Sequence, residues 1–153
     1  MIRCMFVGHR KIYTDGVRER VMQTVDTLLS TAETQFLFYD GNRGEFDVMC
    51  ASVVRKAKQR YPQKEIRLCL VEPYMRNTLN REKDYYETCY DEICIPSVLA
   101  DVYYKQAITR RNEWLVDHSD VMIAYVVRSG GAQKTVQYAE KKGLTIWNVA
   151  ECF

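Results

Sequence analysis

The sequence lacks long hydrophobic runs and an excess of either charge. Its longest uncharged apolar run is the seven residues 121–127, whereas a helix that spans a membrane needs roughly 20. Its 22 Lys and Arg residues nearly balance 20 Asp and Glu residues, for a formal net charge of +2. Proteins that bind nucleic acid usually carry a concentrated basic excess. We therefore expect no membrane contact, and we do not expect nucleic acid as a partner.

The cysteines lack the spacing of a metal site. None of the six forms a C-x-x-C pair, and several lie inside apolar segments, as reduced and buried thiols do. A structural zinc ion would need closely paired Cys or His ligands. The N-terminal residues also lack the layout of a signal peptide. The sequence therefore predicts a cytoplasmic protein with no metal ion and no cofactor.

Short apolar runs alternate with amphipathic helical patterns along the chain. The runs predict strands at residues 2–7, 35–39, 66–71, 121–127 and 144–149. The periodic patterns predict helices at 17–32, 46–57, about 97–118 with a break near 109–112, and 132–142, the last capped by Gly143. Strands that alternate with helices pair in parallel through right-handed crossovers. The predicted fold is α/β, a single Rossmann-like open parallel sheet of about five strands with helices on both faces.

One segment interrupts this alternation within what we expect to be a single domain over residues 1–153. Residues 72–96 are rich in tyrosine, and the charged residues of 84–92 are all acidic. We interpret this segment as an irregular excursion over an edge of the sheet. Its tyrosines have two possible uses: they could stack on a base, or they could cover the sheet edge.

Polar loops follow the first, second and fourth predicted strands. Ligands of open parallel sheets bind outside the carboxyl ends of the strands, where glycines let backbone amides approach a phosphate and helix N-termini add positive charge. Neither G-x-G-x-x-G nor a P-loop is present, and turns also use glycine for backbone reasons alone. The candidate ligand-binding residues are Gly8, His9, Arg10, Gly41, Asn42, Arg43, Gly44, Asp47, Arg111, Asn112, Ser129, Gly130, Gly131, Ala132 and Thr135.

The order of these motifs resembles the SLOG superfamily over almost the whole chain. The likeness is carried by Gly8-His9-Arg10, by G-N-R-G-E-F-D at 41–47, by Arg111-Asn112 ahead of Ser119-Asp120, and by Ser129-Gly130-Gly131 followed by Thr135. The resemblance implies a small stand-alone SLOG protein. Such a domain would bind a nucleotide-derived ligand, for example a nucleoside phosphate, an ADP-ribose-type signal or a cyclic nucleotide, and would sense or sequester it in phage defence.

Other branches of the superfamily imply alternative functions. Phosphoribohydrolases of the LOG branch use an arginine, whose place Arg111 takes, and a glutamate, where this chain has Gln137. Because an amide cannot act as a general base, we favour a binding protein; a hydrolase would need Arg111 and Asp47 as its catalytic residues. DNA-processing relatives bind single strands, which the balanced charge disfavours. A protein-interaction module is a second alternative, and a homo-oligomer is expected.

Overall fold

Six parallel strands form one open sheet in the computed structural model, which describes residues 1–151. The strands are β1 (Ile2–Gly8), β2 (Gln35–Asp40), β3 (Glu65–Val71), β4 (Glu92–Cys94), β5 (Val121–Tyr125) and β6 (Thr145–Asn148). Their order across the sheet is β4-β3-β2-β1-β5-β6, and every neighbouring pair is parallel. The predicted α/β class and parallel sheet are confirmed. The sheet has one strand more than expected, because β4 is too short to give a periodic signal.

Six helices and one 3₁₀ turn connect these strands. The helices are α1 (Val17–Leu29), α2 (Glu45–Arg60), α3 (Asn77–Arg81), α4 (Lys83–Cys89), α5 (Tyr104–Asp117) and α6 (Gly131–Lys142), and the 3₁₀ turn is Ser97–Leu99. The expected break at 109–112 is absent from α5, and the interruption falls at 100–103 instead. Gly143 ends α6 with a φ of 79°, as predicted for a left-handed cap.

The core lies on both faces of the sheet. Along β1, Cys4 and Phe6 belong to the apolar cluster that includes α1 and α2, whereas Met5 and Val7 face the cluster of α5 and α6. This alternation follows from the two-residue period of a strand. Because helices cover both faces, the central strands are apolar almost throughout. Among the described residues, no helix is both long and apolar enough to pass through a membrane.

The tyrosine-rich segment 72–96 contains α3, α4 and β4. Tyr86 and Tyr90 are buried in the core cluster on the α1–α2 face, so these two rings cover the sheet near its β4 edge. Tyr74 and Tyr85 are exposed. Of the two uses that the sequence left open, Tyr86 and Tyr90 therefore cover the sheet edge, and only Tyr74 and Tyr85 are accessible to a ligand.

Candidate functional site

A cavity of about 400 Å³ opens at the carboxyl ends of β1, β2 and β5. Within the described residues, its lining includes every candidate ligand-binding residue except Asn42, Gly44 and Thr135. Phe6, Val7, Ile108, Leu115 and Arg128 complete the lining. The sheet order brings these loops together, because β2, β1 and β5 are neighbours whose carboxyl ends share one edge.

The charged side chains that line the cavity are mostly arginines. Arg10, Arg43, Arg111 and Arg128 face a single carboxylate, Asp47. Arg10 and Arg128 are exposed, Arg43 is partly buried and Arg111 is buried, so positive charge extends from the mouth to the floor. The near-neutral net charge of the chain conceals this concentration, because many of the acidic residues lie on other surfaces.

Arg111 is fixed at the cavity floor by two hydrogen bonds. Its Nη1 donates to the carbonyl oxygen of Val71 at 2.7 Å, and its Nε donates to Asn112 Oδ1 at 3.0 Å. Only 3% of the residue is exposed. Burial lowers the pKa of the guanidinium, and the nearby Asp47 carboxylate opposes that shift. An arginine pKa starts so high that the side chain stays charged, so the floor carries a permanent cation.

Two buried carboxyl groups, Asp40 and Asp47, lie close to this cation. Asp40 is fully buried and accepts a hydrogen bond from Tyr90 Oη at 2.8 Å, while its other oxygen has no partner among the described residues. Burial raises the pKa of Asp40, and the Asp47 carboxyl raises it further. The pKa of Asp47 is also raised by burial. Burial therefore shifts the pKa of both carboxyl groups in the direction of the neutral form, whereas Arg111 stays charged.

Two of the three candidates that do not line the cavity shape the loop after β2, residues 41–44. Asn42 has a φ of 51° and Gly44 a φ of 125°. A Cβ at position 44 would lie 2.6 Å from Arg10 Cα, so only glycine lets this loop approach the loop after β1. Glu45 N donates to Arg10 O at 2.8 Å. Asn42 and Gly44 thus position neighbouring residues.

The loop after β5, residues 126–130, is fastened by His9. The backbone N–H of Val127 donates to His9 Nε2 at 3.0 Å. Burial lowers the pKa of the imidazole, and the positive charge of Arg128 lowers it further. A neutral ring is the form that can accept this bond. His9 therefore acts as a support that holds the loop beside the cavity.

The N-terminus of α6 faces open space at the end of that loop. Gly130 has a φ of 144°, and an added Cβ at Gly130 or Gly131 would meet no atom within 4 Å among the described residues. The first turn holds no acidic residue, and no side chain caps it. Thr135 donates its hydroxyl to Gly131 O at 3.0 Å, so this candidate is turned into its own helix. The N–H groups of the first turn remain available to an anion.

Glu72 is a charged residue near the site that the sequence did not single out. It is fully buried and pairs with Arg43 at 3.3 Å and with Arg76 at 2.6 Å. Its position directly after an apolar strand was the available signal, since polar residues at that point meet the ligand edge of the sheet. Glu72 holds Arg43 in place at the cavity.

No protein-family model matches the chain, and a search of curated proteins finds no match. Two solved structures share its fold. The chain is similar to DNA processing protein A from Helicobacter pylori, described for its unique single-stranded DNA binding mode, with a TM-score of 0.62 and 14% identity over 95% of this chain and 63% of that one. It is similar to DNA processing protein A (DprA) from Streptococcus pneumoniae, with a TM-score of 0.62 and 12% identity over 95% of this chain and 49% of that one.

These comparisons support the Rossmann-like fold and correct two expectations. The chain spans less than two thirds of the length of either protein, and at such identities the likeness carries the fold alone. The protein from Helicobacter pylori is nevertheless described by its binding of single-stranded DNA. The expectation of a small nucleotide-derived ligand, whether sensed, sequestered or hydrolysed, is therefore wrong. So is the expectation that nucleic acid is not a partner, because net charge was a poor guide to local charge.

Proposed function

We propose that this chain binds single-stranded DNA, with phosphates of the strand held in the cavity at the carboxyl ends of β1, β2 and β5. The observation that carries this proposal is the lining of four arginines against one carboxylate, Asp47. The pKa of that carboxyl is itself raised by burial. The single-stranded DNA binding of the structural neighbour supports it.

The cavity offers three kinds of hydrogen-bond donor to the phosphates of a strand. Arg10 and Arg128 at the mouth are exposed and can move to meet the backbone of a strand. Arg111 at the floor is fixed by Val71 and gives a preorganised guanidinium, which suits phosphate better than an ammonium group does. The first turn of α6 adds backbone N–H donors.

The depth of the site favours a single strand over a duplex. Arg111 is buried, and its guanidinium lies at the bottom of the cavity. A flexible strand can bend one phosphate inward to reach it, whereas the phosphates of a duplex are held on a stiff double helix. Single-strand preference therefore follows from access to the floor.

We also infer that the chain forms a SLOG domain. The order of Gly8-His9-Arg10, the 41–47 loop, Arg111-Asn112 and Ser129-Gly130-Gly131 supports this assignment. The single six-stranded parallel sheet is compatible with it. On this proposal the whole of residues 1–153 is one domain.

The proposal is tested by fluorescence anisotropy with a labelled single-stranded oligonucleotide and its duplex. Arg128→Gln removes a cavity charge and should weaken single-strand binding roughly tenfold, as expected for one charged contact. Arg60→Gln is the matched control, because Arg60 lies in the last turn of α2 and pairs with Asp26. It should bind like the wild type. Equal binding by all three proteins would contradict the proposed site.

A further inference from the structure

Two arginines of the cavity each lie over an exposed tyrosine ring. The guanidinium carbon of Arg128 is 5.5 Å from the ring centroid of Tyr13, and that of Arg43 is 5.7 Å from the ring centroid of Tyr74. Both arginines line the cavity. Tyr13 is 71% exposed and Tyr74 is 36% exposed. Flat aromatic surface is thus presented beside the same cations that would meet phosphate.

The two pairs lie on opposite flanks of the cavity. Tyr13 follows β1 and Arg128 follows β5, whereas Arg43 follows β2 and Tyr74 follows β3. In the sheet order β3-β2-β1-β5, one pair therefore lies on the β1–β5 side and the other on the β2–β3 side. With neighbouring strands 4.7–4.9 Å apart, the pairs are separated by roughly 10 Å. A strand that enters the cavity passes between them.

Both rings extend from anchored backbone. The N–H of Tyr13 donates to the buried Tyr125 Oη at 3.0 Å, and Thr14 Oγ1 lies 2.6 Å from the same oxygen. On the other flank, Glu72 precedes Tyr74 by two residues and is held by Arg43, Arg76 and the Cys94 carbonyl. Anchoring reduces the conformational freedom that a ring loses when a ligand binds.

Exposure alone does not distinguish these rings. Tyr85, Tyr103 and Tyr104 are also exposed, and single exposed aromatic residues are common on protein surfaces. Within residues 1–151, none of those three has a cation over its ring, and the arginine of each arginine–aromatic pair lines the cavity. Tyr13 and Tyr74 differ from the other exposed tyrosines because each has over its ring an arginine that lines the cavity.

We propose that Tyr13 and Tyr74 are base-stacking platforms on either side of the phosphate-binding cavity. This inference rests on the proposed single-strand binding. Stacking of a base on an aromatic ring is a stronger contact in water than an exposed cation–π pair. At Tyr13 a base therefore displaces Arg128, and the released guanidinium becomes available to the neighbouring phosphate. At Tyr74 the base stacks beside Arg43, which stays paired with the buried Glu72.

The test compares oligothymidylate with an abasic oligonucleotide of the same length, whose backbone charge is unchanged. The wild type should prefer the oligothymidylate, and loss of one stacked base should lower affinity roughly tenfold. Tyr13→Leu and Tyr74→Leu should each lose that part of the preference, and the double variant should bind the two oligomers equally. Tyr13→Trp and Tyr74→Trp keep an aromatic surface and should keep the preference.

Tyr85→Leu is the matched control, because Tyr85 is an exposed tyrosine of α4 that has no cation over its ring within residues 1–151. It should retain the wild-type preference, and thermal unfolding should show every variant folded. If the wild type binds neither oligomer, the proposed function is wrong, and so is the proposal that Tyr13 and Tyr74 stack on bases. If the wild type binds both oligomers equally, or if the double variant keeps the full preference, the phosphate site stands and the stacking platforms are overturned.

Discussion

Gly41 and Arg111 fit against each other at the floor of the cavity. A Cβ added at position 41 would lie 2.9 Å from Arg111 Nη1 and 3.1 Å from Nη2. Gly41 is buried in the loop after β2, and Arg111 comes from α5 on the other side of the site. The missing side chain of one residue therefore leaves room for the guanidinium of the other, which lets a permanent cation lie beneath the ligand.

Gly41→Ala should displace this guanidinium and weaken single-stranded DNA binding roughly tenfold, the effect of one lost charged contact. The chain should stay folded, because the displaced atoms are the end of a long side chain. The check is a double-mutant cycle with Arg111→Met. In the Arg111→Met background, Gly41→Ala should have no further effect on affinity. An unchanged effect in that background would mean that Gly41 acts without Arg111.

Substitutions of Gly131 at the start of α6 should change DNA binding and stability independently. An added Cβ there meets no atom within 4 Å, and alanine in place of a helical glycine stabilises by roughly 0.5–1 kcal/mol. Gly131→Ala should therefore raise the free energy of unfolding slightly. Gly131→Glu should remain folded but lose most DNA binding, because it puts negative charge where phosphate is expected. Urea unfolding and anisotropy titration measure the two effects. Wild-type affinity in Gly131→Glu would exclude the α6 N-terminus from the site.

His9 should make stability fall on acidification. Its pKa is lowered in the folded protein from the ordinary value of 6.5, so the neutral ring is favoured by folding. This contribution is fully present above pH 6.5 and is lost as the pH falls from 6.5 through the folded-state pKa. His9→Gln keeps an acceptor for the Val127 N–H but does not titrate. Its stability should depend less on pH over this window; identical pH profiles for both proteins would contradict the assignment.

Asp40 should make stability fall as the pH rises. Its pKa is raised in the folded protein by burial and by Asp47, so the neutral form is favoured. The contribution is present below the unfolded-state pKa near 3.8 and is lost as the pH rises through the folded-state value. Asp40→Asn keeps an acceptor for Tyr90 without the charge, so its melting temperature at neutral pH should exceed that of the wild type. A lower melting temperature would show that the buried charge is required.

The predictable part of the fold rested on strong local signals. The seven apolar residues 121–127 marked the buried central strand β5, and Gly143 marked the end of α6, because each feature has one dominant physical cause. The sequence did not predict β4, because Glu92–Cys94 is a three-residue edge strand that is defined by its pairing with β3. That pairing depends on tertiary contacts and leaves no periodic trace in the sequence.

The convergence of the candidate loops on one cavity was predictable from the sequence, whereas the site and its ligand remain proposals. Loops at the ends of parallel strands must converge, so Arg10, Gly41 and Gly131 could be grouped from their places after strands. We propose single-stranded DNA where the sequence predicted a small nucleotide-derived ligand, because composition gives a sum over the whole surface, while recognition depends on where the charges lie. Tyr13 left no signal, since its pairing with Arg128 joins loops from two different strands.

The salt dependence of single-strand binding tests the central claim most directly. If the cavity arginines neutralise three or four phosphates, the logarithm of the association constant should fall against the logarithm of salt concentration with a slope of about −2 to −3. The triple variant Arg10→Gln, Arg43→Gln and Arg128→Gln should bind much more weakly, with a slope of about −0.7, because Arg111 remains to contact one phosphate. An association constant of the wild type that does not change with salt concentration would contradict a phosphate site in this cavity. An unchanged slope in the triple variant would contradict it as well.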